Sequence, residues 1–239
     1  MERKIFLRHG LTALGLAAIV PLANACKKSS GSSSDSSSSS SGACTATSSE
    51  TAGPYPTVTP SSYVRSDIVD GQVGVPLSIK ITVKNLNNSC AVLSGALVDI
   101  WHCTALGYYS EYDDTPGGGY AAVDYTASNF LRGRQTTDAN GLVTFTSIFP
   151  GWYSPRAPHI HVHIYNAAGT SLLITQVAFP TDVCNTVYTT ASPYSAHGVQ
   201  DTANTADQVF SDSLANELSA VTGSVSAGYT LTHTIYVSA

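Results

Sequence analysis

Residues 150–165 read Pro-Gly-Trp-Tyr-Ser-Pro-Arg-Ala-Pro-His-Ile-His-Val-His-Ile-Tyr. From His159 onward an imidazole alternates strictly with an aliphatic side chain. Successive side chains of a β-strand point to opposite faces, so His159, His161 and His163 share one face and Ile160, Val162 and Ile164 the other. The segment reads as a strand with its aliphatic face toward a core. Two imidazoles at neighbouring same-side positions can chelate one metal ion; the plainer alternative is a solvent-facing strand that happens to carry three polar residues.

The same period of two recurs outward from this segment. Ile79, Ile81 and Val83 alternate with Lys80, Thr82 and Lys84, and residues 95–101, 142–149, 171–178 and 229–237 also read as strands. Asp138-Ala139-Asn140-Gly141 is a turn signal ahead of residue 142. A single helix is expected at 206–221, with Thr205 and Gln208 placed as a capping box. Many short strands joined by long Gly-, Pro- and Tyr-containing loops predict an all-β fold: an antiparallel β-sandwich with at most one or two short helices, carrying its function on loops and strand ends.

The chain has 239 residues, with 11 Lys and Arg against 16 Asp and Glu. Five of the basic residues (Arg3, Lys4, Arg8, Lys27 and Lys28) lie before residue 29, so from Cys44 onward 6 basic residues face 14 acidic ones. That balance argues against a groove for nucleic acid, and the low charged fraction of 11% argues against a coiled coil or a charge-driven disordered chain.

Residues 1–25 combine a basic start with the apolar run Leu11 to Leu22, the form of an export signal, and the run is short for a bilayer span. Leu22-Ala23-Asn24-Ala25-Cys26 resembles a bacterial lipobox, which would make Cys26 a lipidated anchor; an ordinary signal peptide is the competing reading. Arg3-Lys4-Ile5-Phe6-Leu7-Arg8 also resembles a twin-arginine signal with Lys in place of the second Arg. Residues 26–43 are dominated by Ser and read as a flexible stalk, which leaves 44–239 as the folded domain. Cys44, Cys90, Cys103 and Cys184 allow three complete disulfide pairings, and export favours at least one bridge.

Which metal would the imidazoles hold? No Cys has zinc-finger spacing and no His-Glu-x-x-His occurs, but Tyr153 lies close by and Tyr108-Tyr109 follow Trp101-His102-Cys103. A phenol titrates near pH 10 and ligates at neutral pH only when a strong Lewis acid ionises it. Ferric iron favours phenolate oxygen and still accepts imidazole, and two phenolates plus one hydroxide balance its charge of three.

These stretches together resemble the intradiol ring-cleavage dioxygenases, non-haem ferric enzymes that open catechols between the two hydroxyls. The resemblance covers about residues 50–200. It rests on Glu50-Thr51-Ala52-Gly53-Pro54-Tyr55-Pro56, on Val98-Asp99-Ile100-Trp101 leading to Tyr109, on Leu131-Arg132-Gly133-Arg134-Gln135-Thr136-Thr137-Asp138, and on the run from Pro150 to His161. It implies Fe(3+) held by Tyr109, Tyr153, His159 and His161. It places Arg156 and Gln176 against the substrate as catalytic groups, with Tyr55 at the site mouth. Tyr153 would leave the metal as the catechol binds and carry off a proton, and O2 would convert the diol to a muconate-type diacid.

The resemblance gives His163 no ligand role. Tyr108 should face away, Trp101 should be core, His102 should be a surface residue or lie behind the ligands, and Arg132 and Arg134 should order loops. Catechol dioxygenases of the family carry a helical N-terminal segment that forms a dimer contact; here that region reads as signal and stalk, so that dimer is not expected and the oligomeric state stays open. Two other readings compete: a sandwich-type binding module for aromatic or carbohydrate ligands without turnover, and a hydrolase holding zinc on His159, His161 and His163.

Overall fold

The computed structural model of the protein describes residues 44–114 and 121–239. The export signal expected at 1–25, the stalk at 26–43 and the anchor at Cys26 lie outside the described residues. In chain order the strands are β1 (Pro76–Asn85), β2 (Ala91–Val92), β3 (Leu97–Trp101), β4 (Asp113–Asp114), β5 (Val123–Asp124), β6 (Arg132–Thr136), β7 (Leu142–Ile148), β8 (His159–Tyr165), β9 (Ser171–Ala178), β10 (Ala220–Ser224) and β11 (Gly228–Val237). Three helices, α1 (Thr181–Thr190), α2 (Tyr194–His197) and α3 (Leu214–Glu217), fall between β9 and β10.

Two sheets face one another, as the alternating strands predict. One has β11 along one edge of β1, with β7 and β2 along the other and β10 outside β11. The other runs β6-β3-β8-β9. All these pairings are antiparallel except β1 with β11, which is parallel from Leu77 opposite Tyr229 to Asn85 opposite Val237. Ile79, Ile81 and Val83 of β1 meet Val98 and Ile100 of β3 and Ile160, Val162 and Ile164 of β8 in one core, each fully buried. Two inner faces of alternating aliphatic residues bury each other in this way, and their burial is the main force holding the sandwich together.

The helix expected at 206–221 does not form. Residues 206–213 run through turns, and only the four residues of α3 are helical before the chain enters β10. Asp207 turns inward instead: its Oδ1 accepts from Val209 N at 2.8 Å, and its Oδ2 accepts from Ala157 N at 2.7 Å. Aspartate competes with helix by offering such local acceptors, and here the tertiary contact settles the competition. Among the described residues the longest helix is α1, which buries Cys184, Val187 and Tyr188 on one face at helical spacing.

A disulfide joins Cys44 to Cys90, whereas Cys103 and Cys184 are buried free thiols. Of the possible bridges, the fold therefore makes the one that ties the start of the described chain to the loop between β1 and β2.

Candidate metal centre and ligand site

Strand register builds one wall of the site. On the face of the second sheet turned away from the core, Arg132 of β6 stands opposite Trp101 of β3, Trp101 opposite His161 of β8, and His161 opposite Gln176 of β9. Directly opposed residues share a face, so these four side chains form a row across four strands. His161 is fully buried, and its ring lies parallel to the Trp101 indole, with centroids 4.8 Å apart and planes within 1°. At His159 and His161 the polar face of β8 is thus covered rather than open to water, while His163 further along is only partly buried.

Three loops bring the remaining groups. After β3 the chain folds around Thr104, whose Oγ1 accepts from Tyr108 N at 3.1 Å while its backbone N–H donates to Tyr108 O at 2.8 Å. This reversal returns Tyr109 to the sheet, 3% exposed, and turns Tyr108 away from it, still buried, its ring edge-on to Tyr125 and its hydroxyl donating to Ala121 O. The loop carrying Tyr153 docks on that turn through Gly151 N, which donates to Thr104 O at 3.0 Å. A Cβ on Gly151 would stand 2.4 Å from Ala105 O, so only glycine permits the approach. The third loop, residues 50–55, brings Gly53 against His161 and stacks the Tyr55 ring on Tyr109, with centroids 4.6 Å apart.

The four ring side chains cluster. His159 Nε2 is 3.1 Å from His161 Nε2 and 3.4 Å from Tyr109 Oη, and the Tyr109 and Tyr153 rings lie 5.8 Å apart, edge to face. Two metal–nitrogen bonds of about 2.1 Å at a right angle would separate their nitrogens by about 3.0 Å, so both imidazoles can reach one ion. His159 Nδ1 lies 2.6 Å from Ala157 O, a contact that puts the proton on Nδ1 and leaves the Nε2 lone pair toward the centre.

Burial holds both imidazoles neutral. It pushes His159 down to about 3, helped by the Arg156 charge, and pushes His161 well below its ordinary value. It pushes the Tyr153 phenol up to about 12 against the opposing pull of Arg156, and Tyr109 well above the usual phenol range. Two neutral imidazoles and two phenols that only a strong Lewis acid could ionise make a donor set suited to a hard, highly charged cation. Among the described residues no three His, Cys, Asp or Glu side chains gather as a metal cage, so the phenols are needed to complete one. The three-histidine alternative is not built: His163 Nε2 lies 2.8 Å from Ser171 Oγ, and its Nδ1 lies 2.8 Å from Tyr165 Oη.

Beside the cluster, Arg156 is 5% exposed and donates from Nη2 to Gln176 Oε1 at 2.6 Å, while Gln176 Nε2 donates to Thr51 O at 2.9 Å. Its Nε is 2.9 Å from Asp207 Oδ2. Asp207 lies within the span expected to be helical, and nothing local in the sequence announces its long-range partner. Arg132 does order loops: it donates from Nε to Ser110 Oγ, from Nη2 to Ser110 O, and from Nη1 to Tyr55 O and Thr57 Oγ1, and it pairs with Glu111 at 3.2 Å. His102 is not at the surface; it is buried, 2.8 Å from Cys103 O through Nδ1 and 2.7 Å from Ser147 Oγ through Nε2.

The dioxygenase family model matches residues 56–212, more than half of the chain. An intradiol ring-cleavage dioxygenase from Tetranychus urticae superposes with a TM-score of 0.71 at 28% identity, covering 82% of this chain and 95% of that one. The chain belongs to the intradiol ring-cleavage dioxygenase family. A further solved relative of this intradiol dioxygenase-family chain is the dioxygenase domain of a dioxygenase–carbohydrate-binding protein fusion from Streptomyces sp. SirexAA-E, with TM-score 0.58, 26% identity, and coverage of 81% of this chain and 99% of that one. Among curated proteins, the protocatechuate 3,4-dioxygenase beta chain of Burkholderia cepacia is 34% identical over 119 residues, covering 46% of this chain and 48% of the relative. The chain thus spans about half the length of that relative.

Proposed function

We propose that the protein is a non-haem Fe(III) intradiol dioxygenase that cleaves catechol-type diols with O2 to muconate-type diacids. The reading is supported by His159 Nε2 lying 3.1 Å from His161 Nε2 and 3.4 Å from Tyr109 Oη, with the Tyr153 ring edge-on to Tyr109, beside the hydrogen-bonded pair Arg156–Gln176. Ferric iron held by those four residues would supply the Lewis acidity that ionises phenols and draws electron density from a chelated catecholate.

The chain's own groups divide the remaining work. His159 and His161, held neutral by burial, keep their lone pairs available across the working pH range. Tyr109, wedged between Tyr55 and the imidazoles, stays in place. Tyr153, at 8% exposure the less deeply buried of the two phenols, is the one to swing out and take a substrate hydroxyl proton on its Oη. Arg156 and Gln176 face the negative charge that develops on the ring, and Asp207 and Thr51 O fix their directions in advance.

Oxygen uptake by the iron-reconstituted protein on catechol, with product mass and connectivity determined, tests the reading. The expected product incorporates both atoms of O2 and is opened between the two hydroxyl carbons. A protein that takes up no iron yet binds aromatic diols without consuming O2 would replace it with the binding-module reading. We also propose export with a lipid anchor at Cys26, on the strength of the N-terminal sequence. Cys26→Ser should then move the protein from the membrane fraction to the soluble one, and unchanged partitioning would remove the anchor.

A further inference from the structure

Every basic side chain among the described residues is already engaged or far from the centre. Arg156 is paired with the fully buried Asp207, and Arg132 with Glu111. Arg134 is paired with Asp99, and Arg65 with Asp70 and the carbonyl of Asn129. Lys80 and Lys84 alternate with the core residues of β1 and so lie on the outer side of the opposite sheet, Lys84 over the Tyr236 ring. The segment 115–120 has no charged residue in its sequence.

The Arg156 side, by contrast, holds the paired Asp207 and, at the end of the neighbouring loop, Glu50. Glu50 N donates to Ile174 O, and the next residue, Thr51, receives the Gln176 side chain, which sets Glu50 at the end of the wall formed by residues 50–55. Burial raises the Glu50 carboxyl, the charge of Asp212 adding to the rise while Glu217, Arg156 and Ser213 oppose it, and Ser213 Oγ donates to Glu217 Oε2 at 2.7 Å. Burial and then the charges of Glu50 and Asp212 push Glu217 up to about 7, and Asp212 itself is exposed.

We propose that the site takes catechols whose ring substituents are uncharged and discriminates against those bearing a carboxylate. The inference rests on the reading of this centre as a catechol-cleaving one. A substituent carboxylate entering here would lose water without meeting an unpaired cation among the described residues and would add its charge beside the loop that carries Glu50, a penalty that an uncharged group escapes.

The test compares catechol, 3,4-dihydroxybenzoate and the methyl ester of that acid on the iron-reconstituted full chain. Binding is read by anaerobic calorimetry and turnover by oxygen uptake. The ester and the acid share ring and attachment and differ in charge. The ester should exceed the acid at least ~10-fold in kcat/KM, chiefly through KM, with a parallel ratio in affinity. Glu50→Gln should narrow that gap by improving the acid. An acid that binds and turns over as well as its ester would overturn the proposal, and a gap unchanged in Glu50→Gln would overturn the assigned cause. Binding without oxygen consumption for all three would sink the cleavage reading, while the affinity ratio would still decide the charge preference. If none of the three bound, both would fall.

Discussion

Tyr109 and Tyr153 reach the same centre under different constraints, and their variants should separate. Tyr109 is wedged beneath Tyr55 with the Arg132 guanidinium 5.9 Å from its ring centroid, whereas Tyr153 sits on the loop that also carries Arg156. Tyr109→Phe is expected to lower iron retention and remove most of the visible tyrosinate absorption. Tyr153→Phe is expected to keep iron and slow turnover at least ~10-fold, the scale of losing one proton-accepting group. Iron content, the visible spectrum and oxygen uptake together check the pair. Gly53 is the other sensitive residue: its φ is +68°, and an added Cβ would stand 2.9 Å from His161 Cε1. Gly53→Ala should cost about 1–2 kcal/mol of stability in urea from the left-handed backbone alone. It should also loosen iron binding by displacing His161; unchanged iron affinity would show that the ring yields freely.

Strand β8 carries both core residues and the two imidazoles of the proposed metal centre, so damage to one face should be felt on the other. Ile160 is fully buried between the two imidazole positions. Ile160→Ala should cost about 2–5 kcal/mol, the range for emptying such a site, and should reduce iron retention because His159 and His161 lose their rigid backing. Urea midpoints and iron titration would show both effects, and a stability loss with unchanged iron affinity would break the claimed linkage. The strands were legible in the sequence because alternation is a local consequence of backbone sterics, and β8 and β9 match their expected spans at both ends. The helices were not. Residues 206–213 carry helix-compatible spacing but spend Asp207 on Arg156. Helix α1 arises from a Thr- and Val-containing segment whose helical spacing of Cys184, Val187 and Tyr188 is visible only when tested at that period.

At the scale of the whole molecule, burial of neutral imidazoles makes stability depend on pH. Burial pushes His102 and His233 down to about 4, against an ordinary value of 6.5. Below about pH 6.5 the unfolded chain takes up protons that the folded chain refuses until about pH 4, so stability should fall as pH drops through that window. For His102 the full effect is on the order of 3 kcal/mol. The raised Glu217 acts in the opposite sense, so the comparison should be between the wild type and His102→Gln in the iron-free protein. Urea midpoints at pH 7 and pH 4.5 should fall less for the variant, and equal falls would remove His102 as a cause. The Cys44–Cys90 bridge spans 46 residues of sequence. Replacing both cysteines by Ser should cost about 2–4 kcal/mol, read again by urea unfolding, since the open chain regains the freedom that the closed loop denies it.

What the sequence by itself determined is the set of faces: which side of each strand is aliphatic, and that two imidazoles and nearby phenols lie on or next to one strand. Period two and the Gly- and Pro-marked turns are local, and local sterics enforce them wherever the chain goes. Only the tertiary structure decided that Arg132, Trp101, His161 and Gln176 stand in one row, that Asp207 holds Arg156, that His163 turns to Ser171, and that Cys44 joins Cys90. Each of these joins residues through register or through the closing of a loop. Their partners are chosen by what the two packed sheets bring together, a choice that no short stretch of chain contains.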